Sequence, residues 1–124
     1  MNRAELIKYI SETYGVEAEY PWIKHSDYAV FRHSGNKKWF AVIMDIPKIK
    51  LGLCDNGTID IINLKCDPIL VGSLRNDQGF FPAYHMSKTN WVSVALDGSV
   101  DKEKIKWLLD LSFDLTNLKI KQKK

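Results

Sequence analysis

The stretch KKWFAVIM, residues 37–44, is apolar at every position after its two lysines. Successive side chains of a β-strand point to opposite faces of a sheet. Alternation therefore divides the six apolar residues into two sets, Trp39, Ala41 and Ile43 on one face and Phe40, Val42 and Met44 on the other. A strand that is apolar on both faces is typical of the interior of a sheet covered on both sides. The segment thus predicts a central strand.

The segments on either side of this strand also have a period of two. DYAVFRHS, residues 27–34, precedes it, and Gly35 and Asn36 between the two runs tolerate the positive φ of a tight turn. After it, the apolar residues Ile49, Leu51 and Leu53 alternate with Lys50 and Gly52. An Asp-Asn-Gly turn then leads into TIDIINLK, residues 58–65. Together these runs predict a four-strand antiparallel meander.

Three helices are indicated by their capping residues. Asn2 and Glu5 have the spacing of a capping box and predict a helix over residues 3–14. Asp67 followed by Pro68 predicts a short helix over residues 68–76. Ser99 or Asp101 can cap a last helix, whose buried stripe is expected to comprise Ile105, Leu108, Leu109, Ser112, Leu115 and Leu118.

The remaining segments complete the predicted order of elements. WVSVAL, residues 91–96, predicts a strand with Val92, Val94 and Leu96 on one face. The aperiodic connection before the first strand contains Pro21, and Tyr20 and Trp22 are expected to pack under the body. The absence of a strand–helix–strand repeat predicts an α+β fold in which helices pack on an antiparallel sheet.

Length and charge set limits on the class of protein. The 124 residues predict one domain, residues 1–118, followed by the Lys-rich tail KIKQKK, residues 119–124. The net charge is +3, but the tail has four lysines, and without them 14 basic residues face 15 acidic ones. This near-neutral body gives weak support for nucleic-acid binding. No apolar run reaches the roughly 18 residues that span a bilayer, and no leader is evident, so we expect a cytoplasmic protein.

Motifs of metal binding and catalysis are not found. The three histidines and two cysteines lack the spacings of a zinc site, and no nucleophile motif or phosphate-binding glycine loop occurs. We therefore expect no metal, no cofactor and no enzymatic activity. Cys54 and Cys66 are interpreted as small hydrophobic residues at or near strands.

The stretch PAYHMSKTNWVSVALDG, residues 82–98, allows two interpretations. Its polar residues can be the ordinary residues of a turn, with Trp91 capping the core. Alternatively, Lys88, Asn90, Trp91 and Tyr84 can supply a phosphate contact, an amide and stacking surfaces on a hairpin that projects like a wing.

Three segments resemble the MmcQ/YjbR family: NLKCDP (63–68), PAYHMSKTNWVSVALDGSV (82–100) and SFDL (112–115). The resemblance implies a CyaY-like fold, an antiparallel sheet with helices on one face, and membership of a class described as "double wing" DNA-binding proteins. The matching positions are Tyr84, His85, Met86, Lys88, Trp91, Leu96, Asp97, Gly98 and Ser99. The chain departs from the family pattern at Ala83, Ser87, Asn90 and Val92, where the family has Gly, Asn, His and Asn.

Two functions follow as hypotheses. The first is binding of double-stranded DNA, with the phosphates contacted by basic residues on the hairpin wings. Its candidate residues are Lys37, Lys38, Lys65, Arg75, Tyr84, His85, Lys88, Asn90 and Trp91. The alternative is a small domain that binds a protein or a ligand through the sheet face or through Tyr84, His85 and Trp91.

Overall fold

The computed structural model describes residues 1–117, so the Lys-rich tail predicted for residues 119–124 lies outside the described chain. The helices are α1 (Arg3–Tyr14), α2 (Pro68–Leu74) and α3 (Lys102–Thr116), with a 3-10 helix at Lys48–Leu51. The strands are β1 (Ala29–Arg32), β2 (Trp39–Pro47), β3 (Thr58–Lys65), β4 (Phe80–Pro82) and β5 (Trp91–Ala95). The predicted α+β class is confirmed.

The five strands form one antiparallel sheet in the order β1-β2-β3-β5-β4. All three helices pack on one face, where buried residues such as Leu6, Val71 and Leu108 share a core with Ile43 and Val94. The other face has a smaller apolar cluster of its own, which includes Val30, Val42, Met44, Ile46, Ile59, Ile61 and Ala95. Loops and the 3-10 helix cover this face, which we call the helix-free face because no α-helix packs on it. β2 is therefore an interior strand covered on both sides, as predicted.

A β-bulge changes the face of the sheet to which the side chains of the first residues of β2 point. Arg32 pairs with Trp39, but the preceding residue Phe31 pairs with Ala41, which leaves Phe40 as the extra residue. Phe40 therefore packs in the helix-side core with Ala41, and Trp39 packs against the helix-free cluster. The predicted alternation holds from residue 41 to 44 and is wrong at Trp39 and Phe40.

The strand predicted for residues 49–53 is wrong. The chain there begins as the 3-10 helix Lys48–Leu51, and the Ile49 side chain is 72% exposed. Both edges of β2 are already paired, with β1 and β3, so no edge was free for this segment. The meander consequently has three strands, β1 to β3. The short strand β4 had no sequence signal and pairs with β5 over three residues.

Several local expectations also need correction. The residue with positive φ in the first hairpin is Lys37, at 66°, and not Gly35 or Asn36. Asn36 instead anchors the turn, since its Nδ2 donates to the Thr116 carbonyl at 2.9 Å. Tyr20 is 51% exposed and does not pack under the body. Cys54 is exposed in a loop, whereas Cys66 is buried at the end of β3.

The caps at the helix starts follow the sequence closely. Asn2 and Glu5 form both hydrogen bonds of the capping box at α1. Asp67 caps α2 through the Ile69 amide, although the helix ends at Leu74, two residues before the predicted end. Asp101, rather than Ser99, is the cap of α3.

The buried histidine of the helix-side core gives a prediction about pH. His33 is 6% exposed, its Nε2 lies 2.7 Å from the Thr116 Oγ1, and burial lowers the pKa of its imidazole. The unfolded chain then binds a proton at a pH where the folded chain does not, so folding stability falls as pH drops below about 6.5. Urea denaturation at pH 7.5 and 5.5 is expected to show this loss, and His33→Gln should reduce it. An equal loss in the variant would assign the pH dependence to other groups.

Candidate functional site

Two hairpin loops lie at the same end of the sheet. The first loop, residues 33–38, joins β1 to β2, and the second loop, residues 83–90, lies between β4 and β5. The starts of β2 and β5 both lie beside the end of β3, because Ala41 pairs with Leu64 and Trp91 pairs with Lys65. The end of the central strand β3 therefore lies between the two loops.

Basic residues are distributed across this end of the sheet. Lys37 and Lys38 are exposed in the first loop, Lys65 is half-buried at the last position of β3, and Lys88 is exposed in the second loop. Arg75, exposed directly after α2, donates from Nη1 to the Lys88 carbonyl at 3.4 Å. Within residues 1–117, the ion pairs are formed by other cations and none involves these five. Their charge is available to an external anion.

The second loop is closed by contacts of its own. The Lys88 Nζ donates to the Ala83 carbonyl at 2.9 Å, across the base of the loop. The Asn90 carbonyl accepts from the Cys66 amide at 2.8 Å, which attaches the loop to the end of β3. Lys88 thus has a structural contact, and its remaining ammonium hydrogens can donate elsewhere.

A buried polar network fixes the start of the second loop to the sheet. The Asn63 Nδ2 donates to the Tyr84 carbonyl at 2.9 Å, and the Tyr84 amide donates to the Ser93 Oγ at 3.0 Å. The Ser93 hydroxyl in turn donates to the Asn63 Oδ1. Asn63 and Ser93 are fully buried on neighbouring strands. Both backbone groups of Tyr84 are held, which sets the direction of its side chain.

The residue after Tyr84 has an unusual backbone conformation. His85 has φ 59°, in the left-handed region that costs free energy for residues other than glycine. Its exposed ring lies 4.1 Å from the Tyr84 ring, centroid to centroid, at a steep angle. The network at Tyr84 holds this strained conformation in place.

A groove opens on the helix-free face between the second loop and the connection that precedes β1. Its volume is about 400 Å³, and it is lined by Trp22, His25, Tyr28, Trp39, Val42, Met44, Tyr84, His85 and Met86. Aromatic rings form most of one wall, where the Trp22 ring meets Trp39 at 5.6 Å and Tyr28 at 5.8 Å, both edge to face. Apolar walls with a few polar groups are typical of ligand pockets.

Comparison with known proteins identifies the family of the chain. A family model described as YjbR matches residues 11–115. The chain belongs to the YjbR family. Uncharacterized protein YyaQ of Bacillus subtilis is 42% identical over 116 residues, which is 94% of this chain and 98% of YyaQ.

Solved structures of similar proteins have the same fold. A Pseudomonas syringae protein is 47% identical; its crystal structure gives a TM-score of 0.92 and its solution NMR structure 0.85. The alignments cover 94% of this chain and, respectively, 99% and 93% of those chains. Deinococcus radiodurans protein DR2400 is 25% identical with a TM-score of 0.72, over 95% of this chain and 80% of its own. The fold described above is therefore shared with these solved structures.

The structure separates the predicted site residues into three groups. The first group lies at the end of the sheet that has the two hairpin loops, which we call the loop end, and comprises Lys37, Lys38, Lys65, Arg75 and Lys88. Tyr84 and His85 line the groove. Asn90 is half-buried, and Trp91 is 9% exposed, so the Trp91 ring offers little surface for stacking.

The LDGS part of the YjbR-family resemblance forms a turn. The Asp97 Oδ1 accepts from the Ser99 amide at 3.0 Å and from the Ser99 hydroxyl at 2.6 Å, and Gly98 supplies φ 91°. The hydrogen bond from the Ser99 side chain is the main cause that lowers the pKa of Asp97. These contacts account for the motif as a local structure between β5 and α3.

Sequence reasoning missed much of the groove. Trp22, His25 and Tyr28 come from the connection before β1, a segment that has no periodic pattern. Met44 was expected on one of the two covered faces of β2, but nothing in the sequence linked it to Tyr84. The available signal was the density of aromatic and imidazole side chains in an aperiodic segment near a strand that is apolar on both faces.

Two further properties concern the described chain. No helix within residues 1–117 is both long and apolar enough to cross a membrane. Over the same residues, no three His, Cys, Asp or Glu side chains are grouped as metal ligands would be.

Proposed function

We propose that this YjbR-family protein is a DNA-binding protein without enzymatic activity, and that its two hairpin loops contact the phosphates of double-stranded DNA. The proposal rests on one observation. Five basic side chains, two in the first loop and three at or beside the second, share one end of the sheet and form no ion pair within residues 1–117. Lysine and arginine contacts to phosphate supply most of non-specific affinity for DNA.

The spacing of the loops suits a duplex. The strand order places three strand spacings between the centres of the two hairpins. Neighbouring strands lie about 4.8 Å apart, which gives a separation of about 14 Å. The major groove of B-DNA is about 12 Å wide, so the loops can reach phosphates on its two sides.

The local arrangement of charge supports the proposal more than the total charge does. Residues 1–118 contain 14 basic and 15 acidic residues, so the body as a whole attracts DNA weakly. The described chain ends at Asn117, and the Thr116 carbonyl is bonded to Asn36 of the first loop. The four lysines of residues 119–124 follow directly in the sequence, and we propose that they add a non-specific contribution.

The test is fluorescence anisotropy of a labelled duplex titrated with the full chain at several salt concentrations. The triple variant Lys37→Gln, Lys38→Gln, Arg75→Gln removes three charges from the loop end. If each cation neutralises one phosphate, the slope of log affinity against log salt becomes shallower by about 0.9 per contact, or about 2.7 in total. A flat salt dependence of the wild-type protein would contradict the proposal.

The matched control removes the same charge from other positions. Lys8, Lys50 and Lys102 are exposed and lie in α1, in the 3-10 helix and at the start of α3, respectively. Their replacement by Gln is expected to leave the salt slope within about 0.9 of the wild-type value. A chain that lacks residues 119–124 separates the tail from the body. Loss of all binding on that deletion, with no effect of the loop-end variant, would refute a role of the loops.

A further inference from the structure

We infer that the groove on the helix-free face binds one flat nitrogen-containing aromatic ring of the nucleobase type. This site is distinct from the phosphate contacts proposed above and does not depend on them. The ring can belong to a free nucleoside or to an unpaired base of a nucleic-acid strand, because both present the same faces and edges. The argument uses the shape, the polar groups and the backbone of the groove.

The shape of the groove suits a planar ligand. Trp22 from the connection before β1 meets Tyr28 and Trp39 edge to face, so the three rings form an aromatic corner against which one planar ring can pack. Tyr84 and Met86 from the second loop complete the apolar part of the lining. The volume of about 400 Å³ lies near the lower end of the 300–1,000 Å³ typical of ligand sites, which favours a ligand of one or two fused rings. Flat apolar faces and thioethers both contact aromatic rings favourably.

The charge of the groove favours a neutral ring. Apart from the two imidazoles, its lining contains no ionisable group of the carboxylate, ammonium or guanidinium type. A phosphate would find no fixed cation there, and the two carboxylates that act on Tyr28, Asp27 and Asp45, do not line the groove. The phosphate-binding candidates Lys37, Lys38 and Arg75 do not line it.

Four polar side chains in the groove can form hydrogen bonds with the edge of a bound ring. His25 and His85 are exposed, and Tyr28 and Tyr84 each add a hydroxyl. Both tyrosines line the groove, and burial is the main cause that raises the pKa of Tyr28. The side-chain hydrogen bonds of residues 1–117 involve Tyr84 only through its backbone and leave these four groups without a hydrogen-bond partner, although the His25 ring stacks on Tyr28 at 4.4 Å. Imidazoles and hydroxyls both donate and accept, as the edge of a nucleobase requires.

The strained backbone at His85 supports a binding role. A His residue at φ 59° is held against its own preference by the network of Asn63, Ser93 and Tyr84. Strain of this kind persists where the surrounding structure determines it, and it is concentrated at binding sites. Its effect here is to place the His85 ring against Tyr84 at the mouth of the groove.

The experiment measures binding of adenosine, of AMP and of a ten-nucleotide adenine strand by calorimetry and by tryptophan fluorescence. We expect saturable binding of at least one of them. Trp22→Leu removes a stacking surface worth about 1–3 kcal/mol per base, which corresponds to a roughly 5- to 150-fold increase in Kd. Trp107→Leu, in which a 49% exposed tryptophan of α3 is changed, is the matched control and should not alter Kd.

His85→Gly is the second variant. A loss of binding in Trp22→Leu can also result from a disrupted aromatic cluster, and His85→Gly does not share this cause. Glycine accepts a positive φ readily, so the fold is expected to be at least as stable, whereas the imidazole is lost and Kd should rise. Unchanged Kd in both variants, or the absence of binding of all three probes at millimolar concentration, would overturn the inference. Displacement of the probe by choline would also overturn it, since it would identify a site for cations.

The source of the ring is decided by the same measurements. Binding of adenosine with an affinity equal to that of the strand indicates a free nucleoside, and binding of the strand alone, lost in Trp22→Leu, indicates a base within a nucleic acid; both outcomes support the site. The loop-end variant with Lys37, Lys38 and Arg75 replaced should bind adenosine normally. Failure of duplex binding and failure of adenosine binding are therefore separate results.

Discussion

Asn63→Ala is expected to lower the free energy of unfolding by about 2–4 kcal/mol. The Asn63 amide donates to the Tyr84 carbonyl, and its oxygen accepts the hydroxyl of Ser93. Alanine leaves the Tyr84 carbonyl without its donor and the Ser93 hydroxyl proton without its acceptor, although the Ser93 Oγ still accepts from the Tyr84 amide. Each such orphaned group costs about 1–3 kcal/mol. For a domain of this size, each kcal/mol corresponds to about 3–5 °C in Tm. Urea denaturation and thermal melting measure the loss.

The control for this prediction is Asn76→Ala. Asn76 is exposed, and its Nδ2 makes one long hydrogen bond, 3.5 Å, to the Gly72 carbonyl. Its replacement is expected to change stability by no more than about 0.5 kcal/mol. A loss below about 1 kcal/mol in Asn63→Ala would show that water satisfies the network equally well.

The same variant should also affect the second loop as a unit. Tyr84, His85 and Lys88 are placed by a loop whose first backbone groups are held by Asn63 and Ser93. Release of this attachment is expected to speed amide hydrogen exchange at Tyr84 and to weaken ligand binding in the groove. Exchange measured residue by residue separates this local opening from a uniform loss of stability.

The fold could be predicted wherever local chemistry determines the structure. The capping box of Asn2 and Glu5 and the Asp67-Pro68 start gave two helix starts correctly, because caps act within one turn. The alternation in residues 49–53 was misleading, because pairing depends on a free strand edge and β2 had none. The bulge at Phe40 likewise depends on β1, and no feature of residues 37–44 alone indicates it.

The candidate site was predictable only in part, for a related reason. Turn residues and antiparallel strands were enough to predict hairpin loops, and Lys37, Lys38 and Lys88 belong to them. The groove, in contrast, brings together side chains more than fifty positions apart, such as Trp22 and Tyr84. Such contacts leave no periodic signal in one sequence. Only the two apolar faces of β2 indicated that something covers the sheet on the side without helices.

Ser112→Ala is the second change for which we expect a large effect, about 2–4 kcal/mol of lost stability. The Ser112 hydroxyl donates to the Phe40 carbonyl at 2.6 Å and accepts from the Lys65 amide at 2.9 Å, so one side chain of α3 joins β2 at its bulge to the end of β3. Alanine leaves a carbonyl and an amide unpaired beneath the helix, and its higher helix propensity offsets only about 0.5 kcal/mol. Denaturant titration beside Ser73→Ala, an exposed serine of α2, measures the difference. Equal stabilities of the two variants would mean that the two Ser112 hydrogen bonds do not stabilise the attachment of α3 to the sheet.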